Sequence, residues 1–157
     1  MSFALLTAAS LVLTADRASA QRAAGPGAFA GIYRLRRDVS VDLTQPWPLH
    51  HAETNPVTVT VGPSPSADMR FSMHSAIATC TLDANRISPH EIAFPAGQSC
   101  SQNAMGRGTI TGTVVTGNGR LVGAQLVLDF RWTLTGTLMG GSVAGTGVDH
   151  VTGHRGR

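Results

Sequence analysis

Lysine is absent. All twelve basic side chains are Arg, and apart from the run Arg34-Leu35-Arg36-Arg37 they are scattered along the chain. Surfaces that bind nucleic acid cluster their cations and interleave aromatic rings. Neither pattern occurs, so nucleic acid is excluded as a partner. Aromatics are scarce as well, with only Phe29, Tyr33, Trp47, Phe71, Phe94, Phe130 and Trp132 beyond residue 20. An outer-membrane barrel needs girdles of such rings at both interfaces, so a membrane-spanning reading is set aside. Long apolar runs are missing too. The longest begins at Phe3 and ends at Leu13, well short of the roughly 20 residues that cross a bilayer as a helix. No Gly-x-Ser-x-Gly elbow, His-Glu-x-x-His helix or phosphate-binding P-loop occurs, which removes the commonest hydrolase and nucleotide signatures. The expectation is a protein that is not an enzyme, without cofactor and without metal.

Cysteine is limited to Cys80 and Cys100. There is no CxxC and no Cys/His cluster of the kind that holds zinc. The compartment decides how the pair behaves, and the N-terminus speaks to it. Phe3 to Leu13 is an uncharged apolar stretch, and Ala18-Ser19-Ala20 gives a small-x-small site before Gln21. That is the layout of a secretory signal peptide, although no cation precedes the apolar run. Residues 1–20 are therefore expected to be removed, with the remainder secreted or periplasmic. In an oxidising compartment two cysteines pair. A Cys80–Cys100 disulfide would stabilise by roughly 3 kcal/mol in the chain-entropy model.

Removing 20 of 157 residues leaves 137, enough for a single domain with one core. Residues 21–157 are expected to form it, ordered over 29–153 with a flexible C-terminal tail. Charged residues make up only 13% of the chain, in keeping with a Thr-, Ser- and Gly-rich β surface.

The clearest pattern lies in RLVGAQLVLDFRWTLTGTLMGG. Leu126, Leu128, Phe130, Trp132, Leu134 and Leu138 alternate with Asp129, Arg131, Thr133, Thr135 and Thr137. A period of two marks a strand with one buried face, as in an antiparallel sheet. The alternation outruns an ordinary strand, so a bend or break is expected at Gly123 or Gly136. Upstream, Tyr33, Leu35, Val39, Val41 and Leu43 share a face, VTVTV at 57–61 is a short strand, and Met69, Phe71, Met73 and Ile77 alternate through the next. Asp83-Ala84-Asn85, residues 116–119 (TGNG) and residues 139–141 (MGG) read as turns, and residues 44–56 as a long Pro-rich loop. The sum is an all-β, single antiparallel meander of about seven or eight strands, as a closed or partly open barrel, with a β-sandwich as the alternative.

Gly31-Ile32-Tyr33 at the start of the first strand resembles the Gly-x-Trp that opens the first strand of lipocalins and related calycin barrels. The likeness covers three residues, with Tyr in place of Trp. It implies a barrel with an apolar interior and names no ligand.

Candidate binding residues are few. Arg37 falls on the buried face of the first strand, where it would need a partner or could meet the anionic head of a ligand. A bulge at Arg36-Arg37-Asp38 would instead turn it to solvent, and the three successive polar residues favour the bulge. Trp132 and Phe130 would line the interior, and Tyr33 would sit at the start of the barrel. Trp47, between two prolines, is either a contact residue at the rim or a plug for the open end. The six histidines read as solvent-facing. His150 and His154 stand about 13 Å apart if extended, too far to share an ion. Asp38 and Asp42 share a wet face with Arg34 and Arg36, and ion pairing explains them. Function follows only in outline: a binding or interaction module for a small apolar ligand or an extracellular protein partner. The alternatives are a structural envelope or matrix domain without a ligand, and an unrecognised hydrolase.

Overall fold

The computed structural model describes residues 25–76, 78–104 and 106–156. The signal segment, the cleavage site before Gln21 and Ile77 lie outside the described residues. A short 3₁₀ turn, Gly27–Phe29, leads into strands β1 (Gly31–Gln45), β2 (Leu49–Gly62), β3 (Met69–His74), β4 (Thr79–Ser88), β5 (Glu91–Phe94), β6 (Ser99–Asn103), β7 (Gly108–Val122), β8 (Gln125–Leu138) and β9 (Gly141–Arg155). All nine form a single antiparallel sheet, in the order β5-β4-β3-β2-β1-β9-β8-β7-β6, with a further pairing of β5 to β7. The sheet thus closes in a ring of hydrogen bonds, but not as a regular barrel. A sandwich of two sheets is ruled out by this topology.

The irregularity sits at β5 and β6. β5 pairs with Gly117–Arg120 of β7, and β6 pairs with Thr109–Thr113. Two short strands share the flank of one long strand. β4 pairs with β5, with a register shift between Arg86 and Ser88, but not with β6. Beside β6 the seam is held by other means. Cys80 on β4 is joined to Cys100 on β6, with Cα atoms 5.2 Å apart. The Gln98 side-chain amide accepts from the Asp83 N–H at 2.7 Å and donates to the Asp83 carbonyl at 2.8 Å, replacing a missing rung of the ladder.

Alternation on β8 runs as expected apart from Val127, which is 6% exposed. Leu126, Leu128, Phe130, Trp132 and Leu134 are buried, while Arg131 and Thr133 are exposed and Asp129 is half-exposed. The long pattern breaks at a turn through Gly123 (φ 62°), so the chain from 122 to 138 is not one strand. Gly136 does not break it. The β8–β9 hairpin turns at Met139 and Gly140, both with positive φ, as a two-residue loop between twisted strands requires.

Three expected turns or loops need correction. Residues 116–119 lie inside β7. A register shift between Val114 and Thr116 puts Val115 outside, 48% exposed, and switches the inward face to odd numbers. Gly117 and Gly119 then point inward, where a Cβ would come within 2.8 Å of Phe130 and 2.7 Å of Ile92. These glycines make room for core side chains and do not turn the chain. Asp83-Ala84-Asn85 lies inside β4, with Ala84 fully buried. The Pro-rich loop shrinks to Pro46-Trp47-Pro48 at the tip of the β1–β2 hairpin, because residues 49–56 belong to β2.

One end of the ring is packed solid. Phe29, Tyr33, Val59, Met69, Phe71, Leu82, Ile92, Leu126 and Leu128 are 0–1% exposed. The 3₁₀ turn covers this end. The Tyr33 hydroxyl donates to the Phe29 carbonyl at 3.0 Å, and Arg155 lies over the Tyr33 ring, 5.5 Å from its centroid, while donating to the Ala28 carbonyl. β9 continues to Arg155, two residues beyond the expected ordered core, and its last side chain pins the cap.

On the outer face, Asp83 accepts from Arg70 Nε at 2.8 Å and Nη2 at 3.1 Å, and from the hydroxyls of Ser64 and Ser66 at 2.9 and 2.7 Å. Arg70 first, then the two serines, hold the carboxyl well below its ordinary range. A folded value below the unfolded one gives stability that is complete above the unfolded pKa, near 3.9, and lost as pH falls beneath it. Melting temperature should therefore drop below about pH 4, and Asp83→Asn should flatten that acid limb. An unchanged acid limb in the variant would count against this assignment.

Candidate functional site

The other end of the ring is hollow. A cavity of about 250 Å³ opens there, with Leu43 of β1, Leu49 of β2, Ser75, Ala78, Ala104 and Leu138 of β8 among its lining. Its wall is chiefly apolar, with Val39, Val41, Leu43, Met73, Ile110, Trp132 and Leu134 among its lining, and the Cys80–Cys100 pair forms part of it. An aromatic chain ties the solid half to the hollow half. Successive centroids from Phe71 through Phe94 and Phe130 to Trp132 are 5.0, 4.8 and 5.2 Å apart. Trp132 ends the chain and faces the cavity.

The inward-facing charges gather on this wall. Arg37 holds the parity of Tyr33, Leu35 and Val39, and the register of β1 is unbroken from Gly31 to Leu43 against β2 and from Tyr33 to Leu43 against β9. The expected bulge at Arg36-Arg37-Asp38 is absent, so Arg37 points inward. Its partner is Asp149 on β9. Nε donates to Oδ2 at 2.9 Å and Nη2 to Oδ1 at 3.1 Å, the fork geometry that Arg and carboxylate share. Asp149 is 4% exposed and is the buried charged residue of the core. Burial pushes its carboxyl above the ordinary value, while the Arg37 charge and hydrogen bonds, then Trp132, pull it back. The sign is opposite to that of Asp83: this group favours the fold most when protonated, and the advantage fades as pH rises. The Trp132 indole N–H leans toward this carboxylate but is a buried donor without a hydrogen-bond partner of normal geometry. Toward the rim, His51 Nε2 lies 3.3 Å from Glu53, whose other oxygen accepts from Asn55 at 2.6 Å.

Of the residues expected to touch a ligand, the fold brings Arg37 and Trp132 together at the cavity. Phe130 and Tyr33 are buried in the solid half. Trp47 is 49% exposed at its hairpin tip and is not part of the cavity wall, so it does not plug the core. Asp149 was not anticipated. Its signal was legible in principle, because Val143, Gly147, Asp149 and Val151 share one parity, and a lone inward Asp on the last strand complements a lone inward Arg on the first.

Among the described residues no three His, Cys, Asp or Glu side chains converge as a metal site. Two histidines pair instead with carboxylates on the outer face: His50 with Asp42 and His150 with Asp129, both at 2.6 Å. Arg36 pairs with Asp38 at 3.0 Å, as the wet face of β1 suggested. No helix among the described residues is long and apolar enough to cross a membrane. No protein-family model, curated protein or solved structure matches this chain.

Proposed function

We propose that this protein is an exported, non-catalytic binding module that holds a small, mostly apolar molecule in the hollow end of its ring. The observation that carries this reading is the contrast between the two ends. The same sheet buries its side chains completely around Phe71 and Phe130 and is left open around Met73, Trp132 and Leu134. A purely structural domain has no use for such a cavity, since unfilled apolar space costs stability. An apolar wall with a few polar groups is the usual form of a small-molecule site, and about 250 Å³ lies just under the range for drug-sized ligands. Export is supported by the signal-like N-terminus together with the Cys80–Cys100 pair. The likeness of Gly31-Ile32-Tyr33 to the lipocalin opening also favours a ligand-holding barrel.

Butylbenzene tests the reading directly. Calorimetric titration should show one saturable site. Gly147 lines the cavity, and a Cβ there makes only ordinary contacts, the nearest 3.6 Å from Leu134. Gly147→Leu should fill the cavity and abolish binding while the protein stays folded. Equal binding by the folded variant would place the site elsewhere. Solvent extraction of natively exported protein, followed by mass spectrometry, should release a small apolar molecule in stoichiometric amount.

A further inference from the structure

Resting on the binding reading, we infer that the natural occupant is an uncharged molecule with a hydrogen-bond acceptor, such as a carbonyl, at the end that meets Arg37. The charge of the wall argues for neutrality. Among the described residues Arg37 is the only cation on it, whereas Asp149 and Glu53 both carry carboxylates, and His51 adds charge only if protonated. A carboxylate head would find Arg37 already forked onto Asp149 and would sit beside that like charge in a poorly solvated space. An ammonium head would meet the Arg37 cation and lose its own hydration among valines, leucines and Met73.

Arg37 also supplies the reason for an acceptor. Its Nε and Nη2 are committed to Asp149, while Nη1 donates to no described residue. The Arg37 side chain is 21% exposed, and the residue lines the cavity. A guanidinium has five N–H donors, so the paired Arg37 keeps donors for a guest without giving up its carboxylate. A neutral carbonyl satisfies them without adding charge, and hydrogen bonds to charged donors are worth more than neutral ones. The guest's apolar body then fills the space bounded by Val41, Met73, Ile110 and Leu134.

The test ranks four probes, each a phenyl ring on a four-carbon chain, against the intact protein: butyrophenone, butylbenzene, 4-phenylbutyrate and 4-phenylbutylamine. Butyrophenone should bind about tenfold more tightly than butylbenzene, the effect of one charge-assisted hydrogen bond, and both charged probes should bind more weakly than butyrophenone. The double variant Arg37→Met/Asp149→Leu replaces the pair by apolar groups of similar size, a change such pairs tolerate. In it, butyrophenone and butylbenzene should converge. Equal affinity of these two for the wild type would overturn the acceptor and leave the cavity reading intact. Tightest binding by phenylbutyrate or phenylbutylamine would overturn neutrality. Binding by none of the four would remove the cavity reading and this inference with it. Should the double variant fail to fold, the wild-type ranking still decides.

Discussion

Phe130→Ala should cost about 3–5 kcal/mol of folding stability, the usual range for a large buried aromatic. Phe130 is 2% exposed, with Phe94 and Trp132 at 4.8 and 5.2 Å, and it packs so closely over Gly117 that a Cβ there would come within 2.8 Å of its ring. Its removal leaves a closed void that rigid neighbours cannot fill. Trp132→Ala should fall toward the low end of that range, about 3 kcal/mol, because one flank of the indole already borders empty space. Its truncation enlarges an existing cavity, so the greater loss should be in butylbenzene affinity. Thr133→Ala, one residue away on the exposed face, should stay within about 0.5 kcal/mol. Denaturant midpoints of the three variants give the comparison. Equal, small shifts would mean that the β8 register is wrong, since a one-residue slip exchanges every inward and outward side chain.

That prediction rests on the part of the fold that was plain in the sequence. β8 keeps one parity from Leu126 to Leu138, so simple alternation located its core face and its exposed threonines. β7 was opaque for a physical reason. Its bulge at Val115 changes parity halfway along, and its inward positions beyond the bulge are Gly117 and Gly119. Glycine in a strand where large side chains crowd from opposite looks, in one dimension, like glycine in a turn. Residues 83–85 misled in the same way. Asp83 and Asn85 are turn formers by composition, yet Asp83 stays in a strand because Arg70, Ser64 and Ser66 occupy its carboxylate.

The candidate site was half legible. Parity alone places Arg37 inside, whereas three successive polar residues favour a bulge only where none of them has a buried partner. Asp149 lies 112 positions away, and only closure of the first strand onto the last brings the two together. Parity on each strand marks the two residues as inward, but no local pattern reports that they meet. The hollow itself was invisible, because alternation says which side chains face inward and nothing about whether they meet.

Loss of the Cys80–Cys100 bridge should lower stability by roughly 3 kcal/mol, as for a closed loop of this length. The sequence separation is 20, and a double Cys→Ala variant or reduction should give similar shifts in the guanidinium midpoint. The structure adds a local consequence. β4 and β6 share no ladder, so at the hollow end the disulfide is the covalent link across the seam, assisted by the Gln98 amide next to β6. Without it, the paired edge of β6 stays on β7 while its other edge is free to swing away from β4. Amide exchange should then rise most in Ser99–Asn103 and in the first residues of β4, and butylbenzene affinity should fall, because Cys80 and Cys100 are part of the cavity wall. Exchange in the solid half, around Leu82, Ile92 and Phe130, should change only in proportion to global stability. A uniform rise across both halves would show that the bridge acts only through the unfolded chain. An unchanged midpoint would show that the seam is held by its hydrogen bonds alone.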